Sequence, residues 1–139
     1  MNNNFMKKII LTIIFSALMV CAADAQTRKS EQTKVWKKFQ TAIVKGDKSA
    51  VAAFIKFPFE ASIIGSEFDY KVESKADFFK NYHKIFTKTR RAKIARAKYT
   101  PIDGEDEFNF EMDEDGAYQV FRFRKIGDVY YLVGTIAVG

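Results

Sequence analysis

Three tight-turn dipeptides near the end of the chain constrain its fold more strongly than any other feature of the sequence. Asp103-Gly104, Asp115-Gly116 and Gly127-Asp128 are of the kind that favours β-hairpin turns. They divide residues 93–138 into four segments of strand length. The sequence therefore predicts an antiparallel meander of four strands in this part of the chain.

The side chains of two of these strands indicate how the sheet is covered. Phe108, Phe110 and Met112 alternate with polar residues, which predicts one buried and one solvated face. The last strand, residues 129–138, is apolar on both sides, so it is expected to lie centrally with a cover on each face. One predicted side carries Tyr131 and Val133, and the other carries Tyr130, Leu132, Ile136 and Val138.

The residues before the meander predict three helices and two further strands. Apolar residues recur at helical spacing over 34–45, and Gly46 marks a stop. Asp47 is a good N-cap for a short second helix, which must end near Lys56 because Pro58 disfavours helical geometry in the preceding residue. Residues 59–64 and 68–72 are strand-like and flank a turn. Ser74 caps a third helix over 74–87.

This order of elements resembles that of the nuclear-transport-factor-two-like superfamily, the cone-shaped fold of ketosteroid isomerase and scytalone dehydratase. The resemblance covers residues 26–139 and rests on the element order, on Val35-Trp36-Lys37-Lys38-Phe39 followed by Gly46-Asp47, and on Lys56-Phe57-Pro58-Phe59 at the first strand. The chain looks like one of the small exported bacterial members of that superfamily. The resemblance implies an α+β cone fold, in which three helices pack on a curved, mainly antiparallel sheet of about six strands and leave an apolar pocket. Because this fold hosts enzymes, binding modules and assembly partners, it implies no particular activity.

The first 25 residues have the features of a cleavable signal peptide. Lys7 and Lys8 precede an apolar run over 9–23, and Ala23-Asp24-Ala25 has the small-x-small pattern that signal peptidases cleave. The run is about fifteen residues, shorter than the ~20 that span a bilayer as a helix. Cleavage is therefore expected after Ala25, which leaves residues 26–139 as a single domain in the periplasm or outside the cell.

Cys21 allows a second interpretation of this segment, a lipoprotein anchor. Lipoprotein processing requires a small residue before the cysteine, and Val20 is a poor match. An ordinary signal peptide is preferred, and membrane attachment is expected only if Cys21 is lipidated. Because the sequence has one cysteine, the processed domain would contain no disulfide.

A basic run over 88–98 is followed directly by an acidic segment over 103–115. The whole chain has 23 Lys and Arg against 17 Asp and Glu, a net charge of +6. If Asp103-Gly104 turns a hairpin, the basic strand lies beside the acidic strand, where opposite charges stabilise each other across the ladder. This predicts a mutually neutralising surface in place of a phosphate-binding one, and no nucleic-acid partner is expected.

The sequence offers few groups for catalysis or metal binding. The acidic segment lacks the glycine and glutamate spacing of a calcium loop, and the chain has one histidine, so no metal and no cofactor are predicted. His83 shares a helical face with Phe79 and Phe86, and no carboxylate partner is apparent near it. No catalytic residue is therefore assigned.

The resemblance places a pocket inside the cone, lined by inward residues of the first and third helices and of the last two strands. Most of these side chains are aromatic, and none is a carboxylate. The candidates for ligand binding are Trp36, Phe39, Phe79, Tyr82, His83, Phe121, Phe123, Tyr131 and Val133.

Two functions of different class fit this pocket. The first is a non-catalytic binding or accessory domain for a small apolar ligand or a periplasmic partner protein, because hydroxyls and an indole N–H are the main polar groups. The second is an enzyme of the isomerase or dehydratase type that uses His83. The sequence favours the first. It also predicts a homodimer through the outer face of the sheet, because the second apolar side of the last strand would otherwise be exposed.

Overall fold

The computed structural model describes the backbone of residues 3–62, 69–102, 105–114 and 116–138, and the side chains of 22–62, 71–102, 105–113 and 116–138. The chain divides into two compact units, 1–31 and 32–139. The side chains of Lys7, Lys8 and Cys21 and most of the apolar run lie outside the described residues, so the signal-peptide and lipoprotein interpretations stay predictions. None of the helices in the described residues is both long and apolar enough to cross a membrane.

The described chain contains four helices. They are α1 (Asn3–Lys45), α2 (Lys48–Ala52), α3 (Lys75–Ile85) and α4 (Lys88–Ile94). Asp47, Ser74 and Thr87 cap the last three, since each side chain accepts a hydrogen bond from the backbone N–H three residues later. Gly46 has a φ of 67°, the left-handed geometry that ends α1 and frees the chain to enter α2.

Six strands form one curved, unclosed sheet in the order β2-β1-β6-β5-β4-β3. They are β1 (Ile55–Ser62), β2 (Asp69–Val72), β3 (Tyr99–Pro101), β4 (Glu107–Glu114), β5 (Ala117–Ile126) and β6 (Val129–Val138). β1 pairs with β6 in parallel, and the other neighbours are antiparallel. The predicted meander is thus confirmed, and β6 lies centrally as expected. Of its turns, Asp103-Gly104 and Asp115 lie outside the described residues.

Three element boundaries predicted from the sequence were wrong. α1 is one continuous helix back to Asn3, and α2 ends at Ala52 because Ile55 already pairs with Leu132 of β6. The largest correction is α4, which takes up most of the basic run over 88–98 that was expected to lie in a strand. Thr87 caps this helix. Arg90 and Ile94 are four residues apart, so they lie on the same side of the helix, and both are buried in the domain interior.

A bulge in β6 decides which of its side chains face the helices. The β5–β6 register shifts between Arg122 and Phe123, which leaves Val133 as an extra residue in β6. The predicted grouping of β6 side chains was therefore wrong, because the bulge reverses the alternation beyond it. The concave face carries Tyr130, Leu132 and Thr135, and the outer face carries Tyr131, Ile136 and Val138.

The helices pack on the concave face of the sheet through aromatic rings. Trp36 of α1 lies 4.9 Å from Phe110 between ring centroids, and Phe86, just after α3, lies 5.8 Å from Phe121. Phe78, Tyr82 and Ile85 bury the inner side of α3. This arrangement is an α+β cone, as predicted, with four helices where three were expected.

Candidate functional site

Aromatic rings from the helices and from the sheet form a continuous aromatic cluster inside the cone. Phe108 stacks on Phe123 at 4.6 Å and Phe110 stacks on Phe121 at 5.0 Å, so neighbouring strands present paired rings to the helices. This aromatic cluster consists of the fully buried Phe39, Phe59, Phe78, Phe86, Phe108, Phe110, Phe121 and Phe123, together with Trp36 and Tyr82.

The aromatic cluster reaches the surface through three partly buried phenylalanines, which we call the rim. Phe54 contacts Phe39 at 5.8 Å between ring centroids. Phe57 and Phe79 contact Phe78 at 6.1 and 6.2 Å. These rim rings are partly solvent-accessible and touch fully buried ones, so the aromatic cluster extends to the surface at the rim.

The structure brings most of the predicted lining residues together. Trp36, Phe39, Tyr82, Phe121 and Phe123 are all buried in the aromatic cluster. Phe79, which was predicted beside them, lies at the rim, where the Lys75 ammonium is 5.4 Å from its ring centroid.

Three of the predicted lining residues lie elsewhere. His83 is exposed. The buried side of α3 consists of Phe78, Tyr82 and Ile85, and the histidine does not lie on that side. Tyr131 faces outward, where the Lys56 ammonium lies 5.8 Å from its ring centroid. Val133 is the extra residue of the β6 bulge, so it does not belong to the alternating concave row.

Five polar side chains are buried among the described residues of the domain, and each donates a hydrogen bond to the main chain. Such bonds satisfy backbone carbonyls that the packing removes from water. The donors and their acceptors are Gln32 to the Glu107 carbonyl, Asn81 to Asp77, Arg90 to Lys84 and Ile85, and Gln119 and Thr135 to Ser62. These side chains therefore have structural roles.

The Tyr82 hydroxyl differs from these groups. Its oxygen is buried and has no hydrogen-bond partner among the described residues. An unsatisfied buried polar group of this kind costs about 1–3 kcal/mol. Burial raises the pKa of the Tyr82 phenol, with a smaller rise from Asp47, while the Arg91 charge opposes the shift. The hydroxyl is therefore a protonated donor at neutral pH.

Two positive side chains lie around this hydroxyl, at the turn between α1 and α2. The Lys48 ammonium is 5.5 Å from the Tyr82 ring centroid. Arg91 packs against Gly46 so closely that a Cβ there would lie 2.8 Å from its Nη1 atom. The Arg91 Nε atom is buried and unpaired within the described part of the chain. We call this group, Gly46 to Lys48 with Tyr82 and Arg91, the Tyr82 corner.

Sequence reasoning missed Arg91 because it assigned the basic run to a strand. The neutralising ladder predicted for that run was also wrong. The basic residues lie on α4 and the loop after it, and the carboxylate of Glu107 pairs instead with Arg124 on β5. Thr87 as an N-cap, with Arg90 and Ile94 four residues apart, was the signal that could have identified the helix. The absence of a nucleic-acid partner stays a prediction.

Two open grooves of about 440 and 410 Å³ lie beside the C-terminal end of α4, outside the aromatic cluster. Lysine side chains line both, Arg96 lines the larger one, and neither contains a predicted site residue. Within the described residues, no three or more His, Cys, Asp or Glu side chains come close enough to hold a metal ion. The aromatic cluster and the Tyr82 corner are thus the strongest candidate site.

The outer face of the sheet is a second unusual surface. On the β5–β6 ribbon it exposes five large apolar side chains, Tyr118, Ile126, Val129, Ile136 and Val138. Beside them, Asn109 Oδ1 and Arg122 Nε are buried and lack a partner among the described residues. The face thus combines exposed apolar area with unsatisfied polar atoms.

No protein-family model and no curated protein matches the chain. Among solved structures, it is similar to an NTF2-like protein with a cystatin-like fold from Novosphingobium aromaticivorans, with 14% identity over 86% of each chain and a TM-score of 0.50. It is also similar to a de novo designed protein with a curved β-sheet, at 13% identity over 79% of this chain and 99% of that one, with a TM-score of 0.45. The first similarity confirms the NTF2-like cone fold.

Proposed function

We propose that this chain is a non-catalytic binding domain for a small, largely apolar ligand that enters through the rim and is oriented by the Tyr82 hydroxyl. One observation carries this proposal. The Tyr82 oxygen is buried without a partner among the described residues, whereas the five other buried polar side chains donate to the main chain. A ligand acceptor atom would satisfy this donor, and the neighbouring rings would bury the rest of the ligand.

The placement of the ionisable groups supports binding over catalysis. A general base must come within about 3 Å of the proton that it removes, and His83 is exposed on α3. Asp47 is the carboxylate within the Tyr82 corner, and it caps α2 by accepting a hydrogen bond from the Ala50 N–H. An isomerase or dehydratase that uses His83 is the alternative, and it predicts a turnover that His83→Ala abolishes.

The test uses 2-acetylnaphthalene, a neutral apolar ketone with one acceptor atom. Trp36 is the only tryptophan and lies in the aromatic cluster, so its fluorescence reports entry of the probe. We expect saturable quenching, and an affinity that falls about fivefold in Tyr82→Phe because one hydrogen bond contributes about 1 kcal/mol. The exposed Tyr118→Phe serves as the control and should bind normally. Absence of a saturable Trp36 response would overturn the proposal, as would equal affinity in Tyr82→Phe.

The proposal includes a homodimer formed through the outer face of the sheet. The exposed apolar side chains of β5 and β6 support it, because folded monomers rarely leave such area uncovered. Light scattering at micromolar concentration should give twice the monomer mass for the wild type and the monomer mass for Ile136→Lys. Val44→Lys replaces an exposed apolar residue of α1 and should remain a dimer. A monomeric wild type would contradict this part of the proposal.

The proposal also includes export, with loss of residues 1–25 and release of residues 26–139 into the periplasm or the medium. Mass spectrometry of the protein from the producing cell tests it. The expected mature N-terminus is Gln26. A diacylated Cys21 at the N-terminus would instead support the lipoprotein interpretation.

A further inference from the structure

We infer that the ligand of the proposed binding site carries an anionic group, such as a carboxylate, which the Tyr82 hydroxyl and the Arg91 guanidinium bind together at the Tyr82 corner. This inference rests on the proposed function, because the aromatic cluster would hold the apolar part of the same molecule. The chemical class is therefore a small aromatic or aliphatic carboxylate, not a neutral apolar compound.

Two unsatisfied donors whose side chains pack on the same turn carry the inference. The Tyr82 oxygen and the Arg91 Nε atom are both buried, and both lack a hydrogen-bond partner among the described residues. Both side chains pack on the turn between α1 and α2, Arg91 against Gly46 and the Tyr82 ring against the side chain of Lys48. A carboxylate accepts several hydrogen bonds at once, so a single carboxylate can satisfy both donors.

The charges at the corner favour an anion. Arg91 and Lys48 are cationic, and the carboxylate of Asp47 is engaged by the backbone N–H of Ala50 at 3.0 Å as the cap of α2. A buried guanidinium stabilises a carboxylate strongly because its planar donors match the carboxylate geometry. The aromatic cluster adjoins the corner directly, since the Tyr82 ring lies 5.6 Å from Phe78 and 5.5 Å from Phe86.

Gly46 bears on the position of Arg91, because a side chain at position 46 would crowd the Arg91 guanidinium. A Cβ at this position would lie 2.8 Å from Arg91 Nη1, closer than van der Waals contact allows. Gly46 therefore leaves the guanidinium room to lie against the turn. The positive φ of 67° at Gly46 independently favours glycine at the end of α1. The turn that carries the Tyr82 corner therefore has a backbone conformation that the end of α1 requires.

The experiment compares two nearly isosteric probes, 2-naphthoate and 2-acetylnaphthalene, which differ in carrying a carboxylate or a neutral ketone. Affinities are measured on the wild-type chain by calorimetry and by Trp36 fluorescence. We expect 2-naphthoate to bind at least tenfold more tightly, and we expect Arg91→Gln to lower the affinity for 2-naphthoate far more than the affinity for 2-acetylnaphthalene, so that the preference is lost. Arg96→Gln removes an exposed cation from the same segment and is the control for bulk charge.

The outcomes separate the two proposals. If neither probe binds, the proposed function fails, and with it the inference. If both bind with equal affinity, or if the preference for 2-naphthoate survives in Arg91→Gln, the inference alone fails. Arg91→Lys keeps the positive charge without the planar fork. It should retain part of the preference and provides a folded comparison if thermal melting shows that Arg91→Gln does not fold.

Discussion

The two faces of the β5–β6 ribbon are built from alternating residues of the same strands, yet they have opposite character. Phe121 and Phe123 on the concave face are 1% and 0% exposed. Tyr118 and Ile136 on the outer face are 54% and 42% exposed. Rings from α1 and α3 cover the concave side, whereas none of the described elements covers the outer side. Burial on this ribbon is therefore set by what packs over each face and not by the apolar character of the strands.

Polar groups show the same contrast between the two faces. On the concave face, Gln119 Nε2 and Thr135 Oγ1 both donate to the Ser62 carbonyl, at 2.7 and 3.0 Å. On the outer face, Asn109 Oδ1 and Arg122 Nε are buried without a partner in the described part of the chain. Gln119 and Thr135 thus find their acceptor within one chain, whereas these two polar atoms of the outer face do not.

The sharpest test of this contrast compares two aromatic residues of β5. Phe121→Ala should lower the free energy of unfolding by about 3–5 kcal/mol, because it leaves a cavity beneath two stacked rings. Tyr118→Ala, three residues away on the outer face, should change it by less than about 0.5 kcal/mol. Urea denaturation at low protein concentration measures both values. Comparable losses in the two variants would mean that the outer face is packed as tightly as the concave one.

Side-chain alternation made the concave face partly predictable from sequence. The burial of Phe108, Phe110 and Met112 followed from their period of two, and the turn dipeptides fixed the strand count. Trp36 and Phe39 were correctly placed in the interior because their helix has a clear apolar stripe. These features depend on local sequence, so they can be read without knowing the tertiary contacts.

The features that the sequence did not reveal depend on long-range pairing. The β6 bulge arises from its register with β5, and it takes Val133 out of the alternating row and places Ile136 and Val138 on the same face as Tyr131. The basic run was assigned to a strand because its charges suggested a partner in the acidic segment, whereas capping by Thr87 and burial of Ile94 favour a helix. Because the run was assigned to a strand, Arg91, one of the two donors of the Tyr82 corner, was not identified from the sequence.

A second prediction concerns the buried polar atoms of the two faces. Gln119→Leu should destabilise the chain by about 1–3 kcal/mol, because the Ser62 carbonyl loses one of its two side-chain donors. Asn109→Val should raise stability by about 0.5–1 kcal/mol, because it removes an unsatisfied buried acceptor and valine favours strands. Thermal and urea unfolding measure both. A loss of stability in Asn109→Val would indicate that the outer face satisfies this amide, as a dimer contact would.

A third prediction uses the pH dependence of stability to test burial of the Tyr82 hydroxyl on the concave side. Burial raises the pKa of this phenol in the folded chain, so the unfolded chain loses the proton first as the pH rises. Stability contributed by the protonated form is present below the unfolded pKa of about 10 and is lost as the pH rises through the folded value. Tyr82→Phe should remove this part of the alkaline decline, whereas the outer-face variant Tyr118→Phe keeps Tyr82 and should retain it. Identical alkaline profiles for the wild type and Tyr82→Phe would show that the phenol is not buried.

The smallest expected effect concerns the ion pair of the outer face, where Arg124 of β5 lies opposite Glu107 of β4. The Arg124 side chain is 50% exposed, so water and salt screen the interaction. A double-mutant cycle with Arg124→Gln and Glu107→Gln should give a coupling of about 0.2–1 kcal/mol at low salt. At 1 M salt the Debye length is about 3 Å, and the coupling should fall toward zero. A coupling that is larger than this range and insensitive to salt would mean that the pair is shielded from solvent, which would make this part of the outer face resemble the concave one.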